Sequence, residues 1–386
     1  MKKELLKIVL LLFVTTGILM SCSDNDSDES QVVRVLESNG VFVVSSGNSD
    51  NSINGSVTYY DYSSQTASSL GSFSTVGGSF DRHSCDAVVY GNKLYVTVTT
   101  ENTIYVSDVK SGQTLATLST TALMGENNGL GPRRITAALG NIYVSTQGGY
   151  VAAIDTASYQ LTKTYQAGSD PEGMCIANGK LYVANSNNGQ QQSSSISVID
   201  LTTGANTSYF DTNIRNPQEI AVIGDAIYYL DLGTVDELGG MQTDNGVYCI
   251  EGDSIRKIMD ATAMAVGTSK DYEGNTSVCI YSYNLPQGYS NADYVAYSLS
   301  LHQTWYYLFD AVDNPCGIGI DPLTSQVFIA STYVKTGKYA WDRVPDYTSP
   351  GYVAVFDENG VEQKRFDCGV NPVRFAFNVG VRQVEI

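Results

Sequence analysis

The sequence predicts an all-β fold, a seven-bladed β-propeller, and three observations carry that prediction. A short block recurs along the chain: a turn, an apolar strand, a tight Gly/Asn turn and a second strand, as in Asp170 to Asp200. Alternating β-formers bounded by Gly, Asn and Pro are the signature of hairpin strands. The blocks recur at a mean of 48 residues, with 288 residues from Cys85 to Val373 over six intervals. That period fits four-stranded blades and is too long for leucine-rich or ankyrin units. The composition agrees: 36 Gly, 27 Tyr and only 16% charged residues in 386 suit many turns around a core that needs no staples.

Taken in order, residues 1–21 read as a leader. Lys2, Lys3 and Lys7 precede an apolar run from Ile8 to Val14, too short to span a bilayer. Leu19 and Ser21 ahead of Cys22 resemble the bacterial lipobox, which implies cleavage and diacylation at Cys22 and anchoring without spanning. Residues 22–38 read as a flexible acidic tether and 39–386 as the propeller. The acidic run behind Cys22 resembles the surface-export signal of Bacteroidetes lipoproteins, which implies a cell-surface place on the outer membrane. Asp24-Asn25-Asp26-Ser27-Asp28-Glu29 mimics the start of a calcium loop, but Glu29 stands where the sharp turn needs Gly, so it reads as solvated charge.

Seven inner strands follow. They start at Ser84-Cys85-Asp86, Pro132-Arg133-Arg134, Pro171-Glu172-Gly173 and Pro217-Gln218-Glu219, then at Ala261-Thr262-Ala263, Pro315-Cys316-Gly317 and Pro372-Val373-Arg374. After the seventh start only Arg374 to Ile386 remain, too little for a blade. The missing strands are predicted at Gly40 to Val44, Ser56 to Asp61 and Thr66 to Phe73, so the ring closes by joining the two ends of the chain.

Charge and rare residues exclude several functions. The formal charge is -18, and the leader contributes +2, leaving about -20 on the mature chain, a surface that repels nucleic acid. Two His and no C-x-x-C pair give no basis for a metal site, and no cofactor is expected. His83, Cys85 and Asp86 form a conceivable nucleophile, yet a reactive thiol needs an electropositive setting that this acidic chain does not offer. The chain therefore reads as a binder rather than an enzyme. Six Cys besides Cys22 allow 15 connectivities, and none is assigned.

Strand parity places the site. Loops before the inner strand and between the second and third strands share one end of an up-and-down blade. Only there does length vary: Ser45 to Gly55, Asn185 to Ser195, Asp231 to Gly246, Ser282 to Asp293 and Thr332 to Gly351. Long variable loops gathered on a rigid scaffold are where binding sites sit. They predict a cup whose floor includes Arg133, Glu172 and Gln218. Its wall draws on Tyr289, Tyr333, Trp341 and Tyr347, because 12 of the 27 Tyr and both Trp fall between Tyr272 and Tyr352.

Tyr182-Val183-Ala184-Asn185, Tyr95-Val96-Thr97 and Tyr143-Val144-Ser145, with Asp-Pro-Glu-Gly and Asn-Pro starts, resemble the YVTN/YncE-like seven-bladed propellers over roughly residues 39–380. The opening GVFVVSSGNSDNSINGSVTYYD behind a lipoprotein leader is similar to the cobalamin-capturing BtuG type of gut Bacteroidetes. That resemblance implies a corrinoid ligand (vitamin B12) handed to a TonB-dependent outer-membrane transporter of the BtuB type. The alternative is a surface glycan-binding propeller lipoprotein. A propeller lyase is the enzymatic reading, and it needs His and metal-supporting residues that the chain mostly lacks.

Overall fold

In the computed structural model, the residues described are 32–73, 85–187, 193–235, 242–270, 275–285, 292–307, 312–338 and 343–385. Seven four-stranded antiparallel sheets follow one another around a ring, each laid out from the axis to the rim. The inner strands are Cys85–Tyr90, Pro132–Ala138, Pro171–Ala177, Pro217–Ile223, Ala263–Lys270, Asn314–Ile320 and Pro372–Glu385. We call their sheets blades 1 to 7. These strands start at or within three residues of the predicted positions, because turn chemistry sets where each hairpin begins.

Blade 7 joins the two ends of the chain. Pro372–Glu385 supplies its inner strand, and Val32–Ser45, Gly55–Asp61 and Thr66–Phe73 supply the other three. The pairing of Val32–Ser45 runs beyond the blade, with Val32 opposite Glu385 and Ser38 opposite Val379. The stretch 32–38 is therefore strand and not tether: Val-Val-Arg-Val-Leu is a β-forming run with a partner in reach. Below Gly40 and Asn378 these two strands form a ribbon at the end of the ring opposite the long loops.

The core lies between blades. Second strands such as Lys93–Val98 are buried along nearly their whole length, since both faces meet a neighbouring sheet. Blade 7 grips both neighbours. Phe42, Val44 and Val57 pack with Val89, Leu94 and Val96 of blade 1. On the other side Tyr60 stacks on Phe366 of blade 6 at 4.3 Å. Ser38 Oγ and Tyr62 Oη both donate to Asp321 at 2.9 Å.

One turn recurs at the end opposite the long loops. In Asp61-x-x-Ser64, Asp108-x-x-Ser111, Asp155-x-x-Ser158 and Asp200-x-x-Thr203, the Asp Oδ1 accepts the amide three residues on at 2.7 or 2.8 Å. The side chain thus closes the tip that the backbone leaves open. These bonds favour the ionised form, led by the Ser64, Ser111 and Thr203 amides at three turns and by the Ser158 hydroxyl at Asp155, and hold all four carboxyls below the usual range.

Two outcomes follow. Deleting residues 32–73 strips the last inner strand of its partners, so the truncated chain should lose its cooperative melt by calorimetry. Because the four Asp pKa values are depressed on folding, their stabilisation is present above the unfolded value near ~3.9 and is lost as pH falls through the folded values. The urea midpoint should therefore drop on acidification below about pH 4, and the Asn variant at all four sites should show a flatter acid limb.

Candidate functional site

The inner strands begin at the loop-bearing end, and in five blades they begin with a bulge. In blade 2, pairing passes from Pro132 opposite Thr146 to Ile135 opposite Val144, so Arg133 and Arg134 face a single residue. Blade 3 does the same at Glu172 and Gly173, and blades 4, 6 and 7 carry one extra residue, Gln218, Cys316 and Val373. A bulge re-aims side chains that a regular strand would send into the sheet packing. Close approach helps: a Cβ on Gly173 would lie 2.5 Å from the Gln218 carbonyl oxygen.

Bulged Arg133, Arg134 and Glu172 meet regularly paired Asp86, Glu219 and Arg374, a floor of three arginines and three carboxylates that pair with one another. Arg133 grips Glu172 through Nη2 and Nε, the latter at 3.2 Å. Arg134 Nη2 lies 3.0 Å from Glu219 Oε1, with its Nε 4.0 Å from Glu172. Arg374 Nη2 reaches the same Glu219 oxygen at 2.9 Å, and its Nε is 3.7 Å from Asp86. Arg134 and Glu172 are each only 2% exposed. Burial raises the Glu172 and Asp86 carboxyls above their ordinary range in spite of the arginines. Burial also works against the Arg134 charge, but Glu219, Asp86 and Glu172 together overcome it and hold its pKa up.

Of the predicted floor residues, the structure thus joins Arg133 to Glu172. Gln218, one blade on, is 5% exposed. Its Nε2 donates to Asn216 Oδ1 at 2.7 Å, while its buried Oε1 has no hydrogen-bond partner among the described residues. Tyr333 of the wall is exposed, packs against the Tyr352 ring at 4.8 Å and donates to Asp367 at 3.4 Å. Tyr347 is buried, and its carbonyl accepts from Asn48 Nδ2 at 2.8 Å, so it ties the long loop of blade 6 to that of blade 7 and is not a platform on the wall. Tyr289 and Trp341 lie outside the described residues, as does His83. Cys85 is fully buried among Val, Ala and Leu side chains and belongs to the core. No disulfide joins the six described cysteines, and no three His, Cys, Asp or Glu among the described residues gather as metal ligands.

Sequence reasoning missed the hydroxyls and amides that hold this floor in place. Ser145 Oγ accepts the Arg134 amide and donates to the Glu172 carbonyl, both at 3.0 Å, which knits blade 2 to blade 3. Thr97 does likewise, accepting the Asp86 amide at 3.0 Å and donating to the Arg133 carbonyl at 2.8 Å. Asp231, fully buried at the end of a second strand, accepts the amides of Arg215 and Gly233 at 2.8 Å and of Asn216 at 3.1 Å. The signal was available: each follows the aromatic-apolar pair of a second strand, in YVT, YVS and YYLD.

Replacing Glu172 with Gln leaves the buried Arg134 and the half-buried Arg133 short of a counter-charge. The variant should lose about 3 kcal/mol of stability in urea unfolding. Arg133→Gln should cost less, because Glu172 keeps Arg134 nearby.

No protein-family model matches the chain, and no curated protein sequence matches it. Solved structures do share its shape. A chain of hydrazine synthase from Kuenenia stuttgartiensis is 13% identical, with 78% of this chain and 95% of that one covered at a TM-score of 0.54. A candidate 6-phosphogluconolactonase from Bacteroides uniformis is 12% identical, with 90% and 100% covered at 0.53. Another from Bacteroides fragilis is 13% identical, with 89% and 98% covered at 0.50. At these identities the likeness extends to the propeller fold.

Proposed function

We propose that the loop-bearing end of the ring is a ligand-capture surface without catalysis, and that its ligand is a corrinoid of the cobalamin type. On this reading the protein is held on the outer membrane by acyl chains on Cys22, faces the cell surface, and passes its ligand to a TonB-dependent transporter. The observation that carries it is a floor whose arginines are committed to carboxylates beneath loops that lengthen at one end only. Such a floor offers an anionic ligand little: a phosphorylated sugar lactone needs a cation that is not already paired. It suits a large, mostly neutral ligand rimmed with amides, for which the exposed Tyr333 supplies a ring and a hydroxyl. The resemblance of the opening segment to the BtuG type selects the corrinoid among such ligands.

Calorimetric titration tests this directly. Cyanocobalamin should release heat, an oligosaccharide panel should not, and 6-phosphogluconolactone should not be hydrolysed. Heat with oligosaccharide and none with cobalamin would replace this ligand with a glycan. Tyr333→Ala should weaken cobalamin binding roughly tenfold, about 1.4 kcal/mol. Cys22→Ala should release the protein from the membrane fraction, and protease should shave the unaltered protein from intact cells.

A further inference from the structure

We infer that the end of the ring opposite the loops rests on a lipid surface. Exposed aliphatic side chains gather there on the adjacent blades 5, 6 and 7, with a further one on blade 2. Leu301 lies in the turn between the third and fourth strands of blade 5, and Leu323 and Val361 lie in the two turns of blade 6. Leu36 and Val381 lie on the ribbon of blade 7, and Leu139 tips the first hairpin of blade 2. Blades 1, 3 and 4 carry polar tips instead: Gly91-Asn92 and Lys110-Ser111-Gly112, Asn178-Gly179-Lys180 and Thr202-Thr203-Gly204, Gly224-Asp225 and Gly252-Asp253.

Leu139 is the sharpest case. It is 75% exposed and holds a φ of 53°, a left-handed conformation that strains any residue carrying a Cβ. The equivalent hairpin positions hold Gly91, Asn178 and Gly224, the residues such a turn prefers. A leucine there is unfavourable twice over for a free protein, by its backbone and by its exposure. Strain kept at an exposed apolar tip points to a contact made by that tip.

The covering partner is assigned from the path of the chain. The ribbon leaves the ring on this face, and Val32, where the described fold begins, stands only ten residues after Cys22. The aliphatics are separate tips spread over these blades rather than one continuous patch, which suits shallow insertion into a headgroup layer. With the formal charge of the chain at -18, the matching surface is zwitterionic. The cup would then point away from the membrane. The inference is tied to the anchoring proposed above, but its test does not use the anchor.

The test uses the chain from residue 22 with Cys22→Ser, which carries no acyl group and keeps every described strand. It should sediment with phosphatidylcholine vesicles. The triple variant Leu139→Asn, Leu301→Ser and Val361→Ser should lose at least about threefold of that partitioning. Phe210→Ser, an exposed aromatic at the other end, should change nothing. Leu139→Asn alone should raise Tm by roughly 1–2 °C by relieving the turn, while it weakens vesicle binding; a merely structural leucine would lower Tm. Absence of vesicle binding, or equal binding by the triple variant, overturns the inference. So does self-association in sedimentation velocity that the triple variant abolishes, which would assign the face to a second copy. Lack of acylation on the N-terminal peptide would remove the anchor and leave this test standing.

Discussion

The structure depends on one interaction, the pairing of Val32–Ser45 with Pro372–Glu385. A row of blades without it would end in two open sheet edges and would have no axis. The pairing brings residues from the two ends of the chain into one sheet, and that sheet packs against blades 1 and 6 at once. Once the ring is closed, the inner strands are forced toward one another, and everything at the centre follows from that crowding.

Crowding explains why the floor looks as it does. Inner strands that nearly touch leave no room for regular side chains at their first residues, so bulges and glycines take up the mismatch. The charged side chains gathered at these strand starts, Arg133, Arg134 and Glu172 from bulges and Asp86, Glu219 and Arg374 from regular pairs, lose most of their water. Arginine and carboxylate in equal number then offset the cost of burial for each other, although burial still raises the Glu172 and Asp86 pKa values. The pairing that makes the floor stable is the same feature that leaves it with little to offer a charged ligand.

The two ends of the ring differ in their turns. At one end, Asp side chains close short turns into stiff tips. At the other, the long loops carry small hairpins of their own, Thr234–Val235 with Gln242–Thr243 and Val334–Thr336 with Arg343–Pro345. Asn48 and Tyr347 lash two of these loops together. Long loops of variable length on a rigid scaffold are a common way to present a binding surface.

The repeat, the seven inner-strand starts and the borrowed N-terminal strands were legible in the sequence, because strand alternation and turn residues are local signals. The same is true of which end bears the long loops, since strand parity follows from counting. The partner of each charged side chain was not legible. Whether Arg134 meets Glu172, Glu219 or water depends on bulge geometry and on how near the next blade stands, and both are set by ring closure. Tyr347 shows the same limit: its composition and loop position suggested an exposed ring, and only the packing of two distant loops decided that it is buried. Sequence alone determined the ring and its polarity; contact across blades, where residues far apart in the chain compete for one crowded axis, was decided by the tertiary structure.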